Sequence, residues 1–300
     1  MIPTFPEFKK LEITDKQEIE KTTRLFLPFS DYNFVSLWSW DTREKTKISK
    51  LNDNLVIQLQ DYITNEVFCS FLGKNDIDDT ITELIAHAKD LKLNPILHLI
   101  PESITRHIEQ PKNFIIEEDA DNFDYVLSVD ELVELQGKNY RGKKNFVNRF
   151  KRLYGDLADA RILNLNDQKT KDEIINLFYD WEKARGKTRA ETSNELMAIK
   201  KLLEYSDLLD LQIIGVFIEN QLKGFSINEI TWDHYGIIHY EKADISYTGI
   251  FQYLKQQSAI NFKKQGCAYI NYEQDLGIEG LKQAKLAWHP VKFLKKYTIK

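Results

Sequence analysis

Cysteine is nearly absent from this 300-residue chain, which carries only Cys69 and Cys267. Two distant thiols, each among apolar neighbours in Val67-Phe68-Cys69 and Cys267-Ala268-Tyr269, argue against a disulfide framework. They suit a reducing cytoplasm, where a thiol packs as a small hydrophobe. Glycine and proline are scarce as well, at 12 and 7 residues, which excludes collagen-like and low-complexity chains. No window approaches the roughly 18 uninterrupted apolar residues of a membrane span. Met1-Ile2-Pro3-Thr4-Phe5-Pro6-Glu7 has neither the basic start nor the apolar stretch of an export signal. A cytoplasmic chain without a transmembrane segment is therefore expected. A positive excess is also missing: 41 Lys and Arg stand against 46 Asp and Glu, for a net charge of −5. No global field draws the chain to a polyanion, and any such partner must be held by a local patch.

What is present is an ordinary globular composition, 42% hydrophobic and 12% aromatic, with length for about two domains. One order of elements occurs twice. In the first half, alternating strands are expected near 46–51, 55–60 and 66–72, with turns at Asn52-Asp53-Asn54 and Thr64-Asn65. A helix follows, with Ile77, Ile81, Leu84, Ile85, Ala88 and Leu91 at helical spacing and Asp76 as its N-cap. Then come a strand at 95–100, a short helix at 101–109, and strands at 114–117 and 123–128. The second half repeats this: strands at 211–218, 222–231 and 235–241, the first two joined by Glu219-Asn220-Gln221. A long helix from Ile250 closes at Gly266. It is followed by a strand at 268–273, a short helix at 277–287 and a final strand at 291–299. The expectation is mixed α/β architecture (α+β mixed sheets), with two related domains at 1–128 and 129–300.

Between the halves, residues 131–154 are expected to be helical, with Phe146, Val147, Phe150 and Leu153 as the apolar stripe. Arg141, Lys144, Asn145, Asn148, Lys151 and Arg152 line the opposite face. From Gln136 to Arg152 there are seven Lys and Arg and no acidic residue, the strongest electrostatic anomaly in the chain. Such a face can meet successive phosphates or an anionic headgroup, or it can be a solvated surface balanced by neighbouring acids. A further helix at 167–185 buries Ile174, Phe178 and Trp181, and the next starts at the capping-box pattern Thr192-Ser193-Asn194-Glu195.

Two acidic strand ends stand out. Glu241, in His239-Tyr240-Glu241-Lys242, lies where neighbouring strands splay, and a carboxylate there can orient or deprotonate an amine or can pair with a surface cation. In Asn271-Tyr272-Glu273-Gln274-Asp275-Leu276-Gly277, polar groups run from a strand end into a helix start. Asn271, Glu273 and the Gly277 backbone can take part in ligand capture there, while Asp275 can cap the helix, and the two roles are compatible. Lys282 and Lys285 follow, and either can stabilise negative charge on a reacting carbonyl oxygen. The histidines lack metal-ligand spacing, so no metal is expected. No Gly-x-Ser-x-Gly elbow or dinucleotide fingerprint occurs, and the run from Gly137 to Lys144 has lysine where a P-loop needs Ser or Thr.

Phe123-Asp124-Tyr125-Val126-Leu127-Ser128, Gly137-Lys138, Asn145 to Phe150, Trp181-Glu182-Lys183, His239 to Asp244 with Tyr247 and Gly249, and Asn271 to Gly277 through Lys285 together carry a resemblance. The chain resembles the family related to the C-terminal domain of phosphatidylglycerol lysyltransferase, a tandem-GNAT group near the Fem-type aminoacyltransferases. The resemblance implies two GNAT-like domains, with the active cleft in the second. It also implies transfer of an aminoacyl group from aminoacyl-tRNA to an amine or hydroxyl acceptor, without a tightly bound cofactor. In that reading Glu241 and Asp275 orient or deprotonate the acceptor, and Lys282 and Lys285 stabilise developing charge. Arg141, Lys144, Arg149 and Lys151 hold the tRNA or another phosphate-bearing group, such as a peripheral lipid headgroup. The sequence departs from acetyl-CoA-dependent relatives in lacking their Gly-rich pyrophosphate loop after Glu241. A CoA-dependent N-acyltransferase and a non-catalytic binding module remain the alternatives.

Overall fold

The computed structural model describes residues 1–61 and 64–300. The first strands are β1 (Lys9–Lys10), β2 (Lys47–Leu51), β3 (Asn54–Gln60), β4 (Val67–Leu72), β5 (Leu97–Pro101) and β6 (Ile116–Glu118). Among them lie α1 (Lys16–Thr23), α2 (Phe34–Trp40), α3 (Ile77–Asp90) and α4 (Glu102–Thr105). Next come β7 (Asp124–Ser128), α5 (Val129–Glu134), α6 (Gly137–Tyr154), β8 (Ala158–Ile162), α7 (Gln168–Ala184) and α8 (Arg189–Glu204). The remainder is β9 (Leu211–Ile218), β10 (Gln221–Ile230), β11 (Tyr235–Ala243), α9 (Ile250–Lys264), β12 (Tyr269–Asn271), α10 (Glu279–Leu286), β13 (Lys292–Leu294) and β14 (Lys296–Ile299).

Among the described residues the strands form two seven-stranded mixed sheets, ordered β1-β2-β3-β4-β5-β14-β6 and β8-β9-β10-β11-β12-β7-β13. The two orders match position by position once the sixth strands are exchanged. β7, the last strand of the first half, completes the second sheet, and β14, the last of the chain, completes the first. The stretch 291–299, read from the sequence as one strand, is therefore two, interrupted at Lys295. The chain divides into two compact units: 1–125 with 274–282 and 293–300, and 126–273 with 283–292.

Local chemistry explains the matching hairpins. Asn52 and Asp53 (φ 53° and 61°) join β2 to β3, and Glu219 and Asn220 (φ 50° and 63°) join β9 to β10. Two left-handed residues in succession make the tight turn whose twist suits antiparallel strands, a conformation that Asn and Asp tolerate best. In each sheet one parallel pair interrupts the antiparallel run, β4 with β5 and β11 with β12. Helix α9 buries Ile250, Leu254, Ser258, Ala259 and Phe262. It ends where Gly266, at φ 79°, lets Cys267 N–H reach the Phe262 carbonyl at 3.0 Å.

Three local readings are corrected. Asp76 stands before α3 but makes no side-chain cap. The capping box of α8 is Thr188 with Glu191, four residues earlier than the pattern at Thr192. The helix expected over 131–154 breaks at Leu135 (φ 49°). In α6 the buried side chains are Tyr140, Val147 and Phe150, while Phe146 and Leu153 are 44% and 49% exposed. No described helix is long and apolar enough to cross a membrane.

Candidate functional site

An irregularity in β11 decides which way Glu241 points. β10 pairs Ile227 with Tyr240 but Asn228 with Ile238, so His239 is an extra residue on β11. Before the bulge, Ile238 packs with Ala259 and Phe262 of α9; after it, Ala243 packs with Ile250 and Leu254 of the same helix. A regular strand would continue Ile238 with Tyr240 and Lys242 on that face. The bulge puts Glu241 there instead. Lys242 is turned away, bonded to Glu195 at 2.6 Å with its ammonium 4.2 Å from the Trp181 ring centre.

Beyond the three residue pairs that join β11 to β12, Glu241 lies in the opening between them. Its Oε2 accepts from the Lys255 ammonium of α9 and, at 3.0 Å, from the Tyr272 hydroxyl. Its Oε1 is buried and has no hydrogen-bond partner, although the side chain is only 9% exposed. Lys255 is fully buried, 3.3 Å from the Tyr272 ring centre. Burial lowers its pKa to about 8; Glu241 opposes that shift, and the charges of Lys285 and Lys143 add to it. Lys285, also buried, donates to the Tyr272 carbonyl and, at 3.4 Å, to that of Glu273. Lys143 of α6 lies 4.5 Å from the Trp288 ring centre, half-buried, with its pKa lowered by burial. The opening thus holds one carboxylate with an unfilled acceptor, paired with Lys255, and the charges of Lys285 and Lys143 are felt at that lysine.

The bulge residue anchors the next turn. His239 is buried between Glu273 (Nδ1–Oε1, 3.1 Å) and Glu229 (Nε2–Oε2, 3.3 Å). Burial alone would depress its pKa, but the two carboxylates outweigh it and raise the value to about 9. Glu273 itself has φ 57°, and its N–H donates to Asn271 Oδ1 at 2.7 Å. This arrangement holds the Tyr272 and Glu273 carbonyls toward Lys285.

The structure brings Glu241, Lys285, Asn271 and Glu273 together in the second unit. Asp275, Gly277 and Lys282 belong to the first. There both Asp275 oxygens are occupied, one by the Tyr125 hydroxyl and one by Gly277 N–H at 2.8 Å. Lys282 lies 3.9 Å from Asp121 on the surface. Arg141, Lys144, Asn145, Asn148, Arg149 and Lys151 are all exposed on α6. Lys255 was missed in the sequence; Lys143 counted there only as one of the basic residues of 136–152, and His239 and Tyr272 only as members of the motifs, with no role of their own. The available signal for Lys255 is its place within the arc that Ile250, Leu254, Ser258, Ala259 and Phe262 sweep around α9, where a cation must be buried.

Helix α6 also covers the start of α9. At Gly249, which precedes α9 with φ 89°, a Cβ would fall 2.3 Å from the Phe146 carbonyl oxygen, so the two backbones meet with no room for a side chain.

The family model described as "Phosphatidylglycerol lysyltransferase, C-terminal" matches residues 23–300. A conserved protein of unknown function from Bacteroides thetaiotaomicron VPI-5482 is similar over 100% of this chain and 99% of its own, with 27% identity and a TM-score of 0.85. The structure of L-PGS from Bacillus licheniformis is similar over 100% of this chain and 93% of its own, at 13% identity and a TM-score of 0.64. An uncharacterized protein of Mycoplasmoides gallisepticum is 25% identical over 188 residues, which are 62% of this chain and 58% of that protein. The fold is that of GNAT-like acyltransferases.

Proposed function

Because the chain belongs to the phosphatidylglycerol lysyltransferase C-terminal family, we propose that it transfers an aminoacyl group from aminoacyl-tRNA to an amine or hydroxyl acceptor in the opening between β11 and β12. The observation that carries this reading is the buried Glu241 carboxylate, held through Oε2 by Lys255 and Tyr272 while Oε1 has no partner. A free, oriented carboxylate oxygen beside cations is what such a transfer requires.

The acceptor donates its N–H or O–H to Glu241 Oε1. As its lone pair attacks the ester carbonyl, the new bond forms to carbon and the proton passes to Glu241. Negative charge gathers on the carbonyl oxygen, next to the ammonium group of Lys255. When the bond to the ribose oxygen breaks, that oxygen takes the proton, and the carboxylate is regenerated. The exposed cations of α6, Arg141, Lys144, Arg149 and Lys151, would bind phosphates of the donor and make its affinity salt-dependent. No tightly bound cofactor is needed. The close approach of α6 to the start of α9 supports a donor other than acyl-CoA, because in this reading the helix start is occupied by protein.

Incubating the full chain with a pool of aminoacyl-tRNAs and amine or hydroxyl acceptors tests the proposal. Transfer by the wild type, reduced at least about 100-fold in Glu241→Gln, is the expected outcome. Absence of transfer from every tRNA, or an undiminished variant, contradicts it.

A further inference from the structure

The charges around Glu241 do not balance, and the imbalance bears on the acceptor. Lys255 is paired with Glu241, but Lys143 has no carboxylate partner among the described residues, although it is half-buried against Trp288. Lys255 also lies within 5.7 Å of the same indole centre, so the two ammonium groups approach one aromatic wall. A desolvated cation without a counter-ion is costly, and an anion supplied by a ligand removes that cost. On the other side of Lys255, Glu241 Oε1 is a buried acceptor without a donor, which carries a similar penalty until a ligand N–H or O–H reaches it. Lys143 is close enough for its charge to lower the Lys255 pKa, and Lys255 is bonded to the carboxylate whose other oxygen has no partner.

Resting on the acyl-transfer reading above, we infer that the acceptor is an α-amino carboxylate, its carboxylate on Lys143 and its amino group on Glu241 Oε1. An anion and a donor attached to the same carbon match a cation and an acceptor separated by one ion pair. An aminoacyl ester carries no free carboxylate on the carbon that bears its amino group, so this pairing is assigned to the acceptor and not to the donor. The same chemistry occurs in free amino acids and in a serine headgroup carried by a lipid.

Calorimetry on the full chain tests the inference without requiring turnover. The probes are L-serine, glycinamide, acetate, and vesicles containing either phosphatidylserine or phosphatidylglycerol. L-serine should bind at least roughly tenfold more tightly than glycinamide or acetate. Lys143→Met, a change at a half-exposed position on α6, should remove that advantage and leave glycinamide binding unchanged. Binding of phosphatidylserine vesicles but not of free serine supports the same subsite with a lipid-borne acceptor. Serine binding no tighter than its two fragments, together with no preference for phosphatidylserine vesicles, overturns the inference, as does full retention by Lys143→Met. Aminoacyl transfer to a non-anionic amine would then leave the wider reading standing, and loss of all transfer would remove both.

Discussion

In the first unit the parallel strands β4 and β5 meet only at Cys69 and Leu97, and Tyr32 bridges the divergence beyond. Its hydroxyl contacts Ser70 Oγ at 2.6 Å and the Phe71 and Leu99 carbonyls at 2.8 and 3.3 Å, and Ser70 in turn donates to the His98 carbonyl. In the second unit the divergence of β11 from β12 contains Glu241, Lys255, Tyr272 and Lys285, with one buried carboxylate oxygen unmatched. The framework is the same, but the hydrogen-bond accounts differ. A phenol whose capacity is filled by its own sheet makes a joint; a carboxylate with an oxygen to spare makes a place for a ligand. Duplication of the strand order thus supplied two openings, and the bulge at His239 has a counterpart in neither the register of β3 with β4 nor that of β2 with β3.

The largest effect expected from breaking this comparison lies in the first unit. Lys296 of β14 is fully buried and donates to Asp31 and, at 2.7 Å, to Asp124. Burial alone would lower its pKa, yet the two carboxylates outweigh burial and raise it. Lys296→Met takes the buried counter-charge from Asp31 and Asp124 and should cost about 3–5 kcal/mol of stability, measured by denaturant unfolding. If the loss is under about 1 kcal/mol, the exchanged strand is not anchored as described. Next in size is Tyr32→Phe, which removes the one O–H donor that Ser70 Oγ and the Phe71 and Leu99 carbonyls share. It should cost about 1–3 kcal/mol while leaving aminoacyl transfer unchanged, and a parallel fall in activity would erase the distinction between the two openings.

A further effect is a pH dependence. His239 has a folded-state pKa of about 9, above its ordinary value near 6.5, so the stability it gains from Glu229 and Glu273 is fully present below about 6.5 and lost as pH rises through 9. The stability difference between the wild type and His239→Gln should therefore narrow between pH 6 and pH 10. A gap that is flat or widens over that range rules out a buried imidazolium at the bulge.

Much of the framework was legible because its causes are local. Asn52-Asp53 and Glu219-Asn220 announce tight turns, β9 runs over the stretch read for it, and Gly266 ends α9 where the apolar spacing stops. Glu241, Lys285, Asn271 and Glu273 were visible as polar residues at strand ends or in the following helix. Non-local causes hid the rest. Nothing near Lys295 in the sequence says that β13 and β14 join different sheets. The burial of Lys255 depends on a carboxylate delivered by a bulge that only the pairing of β10 with β11 reveals. Phe146 and Leu153 fit the apolar spacing of α6 but sit outside the arc that Tyr140, Val147 and Phe150 bury. Asp275 occupies a strand-to-helix loop of the expected kind, yet its oxygens are spent on Tyr125 and the Gly277 N–H.

The contrast between the two openings reduces to a single-turnover measurement of aminoacyl transfer with wild type, Tyr32→Phe and Glu241→Gln side by side, each confirmed folded at the assay temperature. The account predicts wild-type rates for Tyr32→Phe and a fall of at least about 100-fold for Glu241→Gln. Equal rates for all three, or equal losses in both variants, would contradict the placement of the chemistry at Glu241.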